Sequence, residues 1–211
     1  MTSAEPPRDC PICPRLTDYR AENRATHPDW FNGAAPSFGD PDARLLVVGL
    51  APGRTGANRT GRPFTGDYAG VLLYETLIRF GFASGRYAAR PDDGLRLVDC
   101  MITNAVRCAP PGNRPLPAEE AACRPFLAAR IDTLPRLRVL ITLGDVARRN
   151  VLRALGRPGS SGLGGHATET PVGPYVLINS YHCSRLNTNT GRLTEPMFHA
   201  VFERARELLA A

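Results

Sequence analysis

The stretch "RLLVVGLAPGRTGANRTGRPFTGD", residues 44–67, joins a short apolar run to a loop that is rich in glycine. The apolar run predicts a buried strand. A glycine-rich loop after such a strand commonly cradles phosphate, and its nucleotide-binding form ends in Gly-Lys-Ser or Gly-Lys-Thr. This loop lacks that ending, and the chain contains no lysine at all. Nucleoside triphosphate binding is therefore excluded, and the loop must hold something else.

Strands and helices are predicted to alternate along the chain. Apolar runs predict four buried strands, and helical periodicity predicts helices between and after them. This alternation indicates an α/β fold with a mostly parallel sheet and helices on both faces. A proline near the middle of the second predicted helix indicates a kink or a break there. The predicted strands are 45–50, 97–105, 137–143 and 175–180, the helices are 68–81, 117–134, 145–156 and 194–209, and 156–174 is predicted to be a long loop.

The composition favours a basic protein of one domain with an anionic partner. The 211 residues include 26 basic residues, all of them arginine, and 20 acidic ones, which gives a net charge of +6. Such a balance favours polyanions such as nucleic acid. The beginning of the sequence lacks the features of a secretory signal, and no apolar run is long enough to span a bilayer, so we expect a cytoplasmic location. Without lysine, no internal amine can form a Schiff base with a substrate aldehyde.

Four of the six cysteines form two pairs that suit a metal site. Cys10 and Cys13 are separated by two residues, and Cys108 and Cys123 lie further along the chain. Four thiolates can bind zinc or an iron–sulfur cluster, and the spacing alone does not choose between them. Cys100 lies within a predicted strand and is expected to be a buried free thiol. Cys183 follows His182 directly, and because adjacent residues at a strand end point in opposite directions, we do not expect a catalytic thiol there.

Four motifs, in this order, resemble the iron–sulfur branch of the uracil-DNA glycosylase superfamily, and most closely its family 5 (type B): "GLAPG", "GANRTGRPFTGD", "TNAVRCAPPGNR" and "YHCSRLNTNTGRLT". The resemblance implies a single domain over 1–211, a three-layer sandwich with a central four-stranded parallel sheet. It implies a [4Fe–4S] cluster on Cys10, Cys13, Cys108 and Cys123 that ties in the N-terminal segment. It also implies a monomer, associated with the nucleoid, that hydrolyses the bond between a deaminated base and deoxyribose in DNA and so starts base excision repair.

The resemblance and the strand-end rule together predict the base pocket and the catalytic groups. His182 would stabilise negative charge on the departing base. Relatives in other branches carry an acid near the start of the first motif, and Asp67 is the expected substitute for positioning water, with Asn58 as a second candidate. Asp67 is also expected to cap the helix that begins near residue 68. The predicted base-binding residues are Leu50, Ala51, Gly53, Phe64 and Asn104.

The last motif is expected to enter the DNA. Leu186 occupies the position of the family's wedge residue, an apolar side chain that fills the gap left by a flipped base. One departure concerns the residue after His182, because Cys183 stands where relatives usually have proline, which puts the rigidity of that loop in doubt. The other predicted DNA contacts are Arg54, Asn58, Arg59, Arg62, Ser184, Arg185, Asn187, Asn189 and Arg192.

Two expectations concern specificity, and two other functional classes stay open. Gly53 occupies the position at which uracil-specific relatives place a tyrosine, so we expect tolerance of bulkier lesions such as hydroxymethyluracil, ethenocytosine or hypoxanthine. The absence of lysine predicts a monofunctional enzyme that leaves the abasic site uncut. The alternatives are a non-catalytic iron–sulfur module that binds nucleic acid or senses redox state, and a zinc protein that acts on free nucleotides.

Overall fold

The computed structural model describes residues 3–159 and 164–210, and within them lie seven α-helices and eight strands. The helices are α1 (Pro14–Thr26), α2 (Ala57–Thr60), α3 (Tyr68–Arg79), α4 (Pro117–Asp132), α5 (Asp145–Ala154), α6 (Arg185–Asn189) and α7 (Glu195–Ala210). The strands are β1 (Phe38–Gly39), β2 (Leu45–Gly49), β3 (Ala83–Ser84), β4 (Arg96–Leu97), β5 (Cys100–Asn104), β6 (Val139–Leu143), β7 (Thr168–Val172) and β8 (Tyr175–Ser180). In this part of the chain no helix combines the length and the apolarity that a bilayer requires.

The central sheet is mixed and has six strands, in the order β1-β5-β2-β6-β8-β7. The four inner strands are parallel to one another and correspond to the four predicted strands. The two edge strands, β1 and β7, pair antiparallel with their neighbours. The expectation of a four-stranded parallel sheet is therefore wrong as a description of the whole sheet.

Helices cover both faces of the sheet, and each inner strand serves two cores. In β2, Leu45 and Val47 pack in the core that contains residues of α3 and α7. Leu46 and Val48 pack on the other side with residues of α4 and α5. Because successive side chains of a strand point to opposite faces, a strand covered on both faces is a continuous apolar run. This explains why the four inner strands were visible in the sequence.

Three local predictions were wrong. The predicted strand 97–105 is divided into β4 and β5, because Asp99 between them has a positive φ of 52° that interrupts a strand. Helix α4 is continuous through Pro125, so the predicted break is absent, and its Leu127 and Ile131 pack in the core that includes Leu46 and Val48 of the sheet. The predicted loop 156–174 contains β7, an edge strand that includes Pro171 and is mostly exposed; residues 160–163 of that loop lie outside the described part of the chain.

Candidate active site

A cavity of about 500 Å³ opens at the carboxyl ends of the parallel strands. The segments that leave β2, β5, β6 and β8 all contribute to its wall. Ligands of open α/β sheets bind in this position, where the loops after the strands separate. The residues predicted from the sequence that line the cavity are Leu50, Ala51, Gly53, Arg54, Phe64, Asp67, Asn104, His182, Ser184 and Arg185.

The glycines of the 49–67 loop make room for side chains of the pocket itself. A methyl group on Gly56 would collide with the Asp67 carboxylate, and one on Gly49 would collide with the Asn104 amide and the Phe64 ring. A methyl group on Gly53 would lie 3.3 Å from Oδ2 of Asp67. The loop therefore folds around the carboxylate of its own last residue.

Phe64 provides a buried apolar wall. Its φ of 55° lies in the left-handed region, which is uncommon for a bulky side chain and is retained mainly at functional sites. The ring centre lies 6.0 Å from that of His182. The two rings thus face the same cavity from the loop and from the end of β8.

Asp67 has two roles that use different oxygens. It is the N-cap of α3, and its Oδ1 accepts the backbone N–H of Gly70 at 3.2 Å, which confirms the predicted cap. Oδ2 is the oxygen next to Gly53 and Gly56. Burial raises the pKa of the Asp67 carboxyl above its usual value, and the bond from Gly70 opposes that rise. One oxygen therefore fixes the side chain while the other lies against the glycine-rich loop.

His182 follows β8 and carries a neutral imidazole at pH 7. Burial lowers the pKa of His182 from 6.5 to about 4, because the charged form is poorly solvated there. Its Nδ1 is buried and has no hydrogen-bond partner among the described residues. His182 therefore lines the cavity with a neutral ring.

Asn104 ends β5 and contributes a second buried polar group. The residue is 2% exposed, and its Oδ1 has no hydrogen-bond partner in the described part of the chain. A buried amide oxygen without a partner costs free energy unless a ligand completes it. Asn104 and His182 thus both line the cavity, and each has a buried polar atom without a partner among the described residues.

Cys183 points away from the pocket, as its position after His182 predicts. The side chain is fully buried, and its Sγ donates to the carbonyl oxygen of Ala69 at 3.5 Å. Burial raises the pKa of this thiol, so it stays protonated and can donate. Ala69 belongs to the first turn of α3 and lies two residues after Asp67. The thiol therefore connects the segment that carries His182 to the helix that Asp67 caps.

The segment predicted to enter DNA forms a short helix rather than an open loop. Ser184 caps α6 by accepting the N–H of Asn187, and the Asn187 amide donates to the carbonyl of His182 at 2.8 Å. Leu186 is 71% exposed. The Arg185 guanidinium lies 5.0 Å from the centre of the Tyr68 ring. Leu186 is therefore an exposed apolar side chain on a short helix that side-chain hydrogen bonds hold at both Ser184 and Asn187.

Of the six remaining predicted DNA contacts, four have exposed side chains and two, Arg62 and Asn58, are buried. Arg54, Arg59, Asn189 and Arg192 are exposed, and the Arg192 guanidinium stacks 4.6 Å from the ring centre of Tyr181. Arg59 and Arg192 do not line the cavity itself.

Arg62 and Asn58 do not have the geometry for their predicted roles. Arg62 is 5% exposed and forms a two-pronged ion pair with Asp93, with both N–O distances at 2.8 Å. Asn58 is 2% exposed, and its amide donates to Oδ1 of Asn32 at 3.0 Å. Both side chains are used inside the protein, so we correct their prediction as contacts to DNA or to a water in the pocket.

Sequence analysis missed several residues of the cavity wall. Gly144, Asp145 and Val146 follow β6, and the rule that ligands bind at strand ends would have found them, because 137–143 was a predicted strand. Tyr68 and Asn113 carried no such signal. Asn113 reaches the wall from a 3₁₀ turn with a positive φ of 56°.

The four paired cysteines lie around one separate cavity. Apolar side chains such as Ile12, Leu16 and Phe126 share its wall. Two sulfur atoms accept hydrogen bonds: the backbone N–H of Arg107 donates to Cys123 at 3.3 Å, and the Arg20 side chain approaches Cys108 at 3.8 Å. The four cysteines are Cys10, Cys13, Cys108 and Cys123.

These thiols do not form a compact single-ion site. Among residues 3–159 and 164–210, no group of three or more His, Cys, Asp or Glu side chains is arranged to hold one metal ion. Burial raises the pKa of Cys108 to about 12 and that of Cys123 to about 11.

Comparison with known proteins gives one family. The family model described as uracil DNA glycosylase superfamily matches residues 36–206. A type-5 uracil-DNA glycosylase of Thermus thermophilus is 44% identical over 206 residues, which cover 94% of this chain and 93% of the relative. The Mycobacterium bovis protein of the same name is 41% identical over 209 residues, covering 94% and 78%. A type-4 uracil-DNA glycosylase of Pyrobaculum aerophilum is 34% identical over 151 residues, covering 71% and 63%.

The matched range begins before β1 and ends within α7, so it includes every strand and the whole cavity. The chain therefore belongs to the uracil-DNA glycosylase superfamily and, within it, to the type-5 family.

Proposed function

We propose that this protein hydrolyses the N-glycosidic bond of uracil in DNA and so starts base excision repair. The observation that carries the proposal is a single cavity, at the strand ends, that combines a carboxylate, a neutral imidazole, a buried amide and an aromatic wall. These are the side chains of Asp67, His182, Asn104 and Phe64. A pyrimidine base needs a flat apolar slot together with hydrogen-bonding groups at its edge.

Base recognition would divide between Phe64 and Asn104. The Phe64 ring offers a stacking surface, which any base can use. The Asn104 amide can donate and accept, and its unpartnered Oδ1 suits the N3–H of uracil. The carbonyl oxygen of Gly53 already accepts two backbone N–H groups. The contribution of the 50–53 segment would therefore come mainly from other backbone groups.

His182 would stabilise the leaving base. As the bond between C1′ and N1 breaks, its electron pair moves to the base, and negative charge grows on the uracil O2. A neutral imidazole N–H can donate a hydrogen bond to that oxygen without a prior proton transfer. The lowered pKa of His182, about 4, keeps the ring in this neutral donor form at pH 7.

Asp67 would orient the attacking water and stabilise the cationic sugar. The water oxygen bonds to C1′ as the base leaves, and the water proton passes to the carboxylate and then to solvent. The cap bond to Gly70 holds the carboxyl group in place during this step. No side chain becomes covalently attached, which agrees with the absence of lysine and with a monofunctional enzyme.

The protein would bind DNA across the pocket mouth. Leu186 on α6 would replace the flipped base in the stack, and the exposed arginines Arg54, Arg59, Arg185 and Arg192 would contact phosphates. Ser184, Asn187 and Asn189 lie along the same segment and complete the proposed interface. We place such a monomer in the cytoplasm at the nucleoid, where its substrate lies.

The lesion range is proposed to extend beyond uracil. With no side chain at Gly53, the space in front of Asp67 stays open toward a substituent on the base. Hydroxymethyluracil, ethenocytosine and hypoxanthine are the bulkier bases that we expect to be released. Strict activity on uracil alone would contradict this part of the proposal.

The cysteine cavity is proposed to hold a [4Fe–4S] cluster. Its donor set fits, because four thiols face one cavity and N–H groups lie beside the sulfur atoms. When bound, the cluster would cross-link the N-terminal segment to the part of the chain that runs from the end of β5 into α4, through four thiolates. Arg15 and Glu119 already join the same two segments by a 2.8 Å ion pair.

The test is the release of uracil from a labelled oligonucleotide, detected as a strand break after alkali treatment. The wild-type protein is expected to produce alkali-labile sites, whereas Asp67→Ala and His182→Ala are expected to lose most of this activity. DNA binding without any base release by the wild-type protein would instead favour the non-catalytic module. Strand cleavage without alkali would contradict the monofunctional mechanism.

A further inference from the structure

Arg54 is held at the rim of the pocket by two residues of the N-terminal segment. Its Nε donates a 2.7 Å hydrogen bond to Oδ1 of Asn23. Its guanidinium carbon lies 5.4 Å from the centre of the Trp30 ring, within the range of a cation–π contact. Although Arg54 is exposed, its head group is thus supported on two sides.

Both supports are themselves ordered. Asn23 is 2% exposed, and its Nδ2 donates to the carbonyl oxygen of Tyr19 at 2.7 Å. Because that bond uses the amide nitrogen, it fixes which way the amide oxygen points. The Trp30 ring stacks on His27, with the ring centres 3.9 Å apart and the planes 7° from parallel. Neither partner needs to reorganise in order to support Arg54.

Fixing an arginine before it binds matters energetically. A free arginine side chain has a large rotamer entropy that is lost when it contacts a ligand. The bond to Asn23 uses Nε, which leaves the terminal N–H groups of the guanidinium to contact an anion. A pre-ordered guanidinium suits the geometry of a phosphate better than a mobile one.

We propose that Asn23 and Trp30 are positioning residues that pre-order Arg54 for contact with a DNA phosphate beside the pocket. This inference rests on the proposed function, because it takes DNA as the ligand of the rim. Asn23 lies on α1, which begins directly after Cys13. The same helix therefore adjoins the cysteine cavity at one end and supports the pocket rim near the other.

The test compares steady-state kinetics of uracil release from duplex DNA for matched variants. Asn23→Leu and Asn23→Asp both remove the donor to Tyr19, but only Asn23→Asp keeps an oxygen for Arg54. Arg54→Ala and Asn23→Leu are expected to raise KM about tenfold, which corresponds to about 1.4 kcal/mol, with the effect on KM rather than on kcat. Asn23→Asp is expected to raise KM less than Asn23→Leu, because it keeps an oxygen that orients Arg54, although its charge partly offsets that of the guanidinium. Trp30→Leu should raise KM more than Trp30→Phe, which retains a ring face.

A double variant measures the energetic coupling between Asn23 and Arg54. If Asn23 acts through Arg54, Asn23→Leu adds nothing to Arg54→Ala, because the partner is already gone. Additive effects, or an unchanged KM for Asn23→Leu, would overturn the positioning role. An unchanged KM for Arg54→Ala would overturn the contact itself.

Failure of the proposed function can be distinguished from failure of the positioning role. If the wild-type protein releases no uracil, the dissociation constants of the same variants for the same duplex are compared in place of KM. The same pattern there would support the positioning of Arg54 while rejecting catalysis. Dissociation constants that are the same for the wild-type protein and all variants would reject the positioning as well.

Discussion

The pocket and the cysteine cavity differ in whether their buried polar atoms have hydrogen-bond partners. In the pocket, Asn104 Oδ1 and His182 Nδ1 are buried without a hydrogen-bond partner among the described residues. Around the cysteine cavity, the backbone N–H of Arg107 donates to Cys123, and its side chain forms a 3.1 Å ion pair with Glu5. Arg107 Nε is the exception there, since it too has no partner in the described part of the chain.

This difference indicates a division between a region that binds a ligand and a region that stabilises the free protein. A buried polar atom without a partner costs about 1 to 3 kcal/mol, which a ligand can recover when it binds. A paired polar atom instead contributes to the stability of the free protein. Changes in the pocket should therefore reduce rate and spare stability, whereas changes around the cysteines should reduce stability and spare rate.

The largest expected effect is that of His182→Ala on the rate. Removing the donor to the leaving base should lower the single-turnover rate of uracil release about 100- to 1000-fold. The thermal midpoint should stay the same or rise, because the lost ring carried an unpaired nitrogen. His199→Ala, on α7 and away from the pocket, is the matched control. A wild-type rate with a lowered midpoint would reverse the proposed division.

The same histidine should make stability depend on pH. The pKa of His182 is about 4 in the folded protein and near 6.5 when unfolded, so the unfolded chain binds the proton first. The stability is complete above pH 6.5 and falls as the pH drops toward 4, by about 3 kcal/mol in all. Chemical denaturation of the wild type and of His182→Asn across this range measures the difference. Parallel curves for the two proteins would show that His182 is not buried in its neutral form.

Glu5→Gln tests the prediction that polar pairs around the cysteine cavity stabilise the fold. The change leaves the buried Arg107 without its counter-charge and should lower the free energy of unfolding by about 2 kcal/mol. The rate of uracil release per folded molecule should be unchanged, since Glu5 is not in the pocket wall. Glu203→Gln, a change at an exposed glutamate of α7, provides the control. A large loss of rate without a loss of stability would show that the surroundings of the cysteine cavity contribute to catalysis, which contradicts the proposed division.

The smallest expected effect concerns Cys183. Cys183→Ala removes the hydrogen bond to the Ala69 carbonyl and should lower the free energy of unfolding by about 1 kcal/mol. Cys183→Ser keeps a donor of similar size and should lose less. The comparison of the two denaturation curves measures the bond between the His182 segment and α3. Equal losses would show that packing, rather than the hydrogen bond, determines the effect.

The inner sheet was predictable from a simple rule, and much of the pocket was predictable because the strand-end rule and the family resemblance point to the same residues. Strands buried on both faces are apolar throughout, and polar residues after them meet at one edge of the sheet. Helix α1 escaped detection because its buried residues include Arg20 and Asn23, so its inner face is not apolar. Strand β7 escaped because an exposed edge strand lacks an apolar pattern.

Side-chain partners were the least predictable feature. Arg62 and Arg54 belong to the same glycine-rich loop, yet Arg62 is buried against Asp93, and Arg54 stays at the surface. Asp93 lies outside every motif that the sequence singled out. Pairings between distant segments of this kind depend on the tertiary structure, which local patterns do not report.

The most direct test of the account is the substitution Asp67→Asn. Asparagine caps helices about as well as aspartate, so α3 and the thermal midpoint should be preserved. The loss of the charge should lower the single-turnover rate of uracil release by about 100-fold or more. A wild-type rate in this variant would contradict the central claim that the last residue of the glycine-rich loop supplies the catalytic carboxylate.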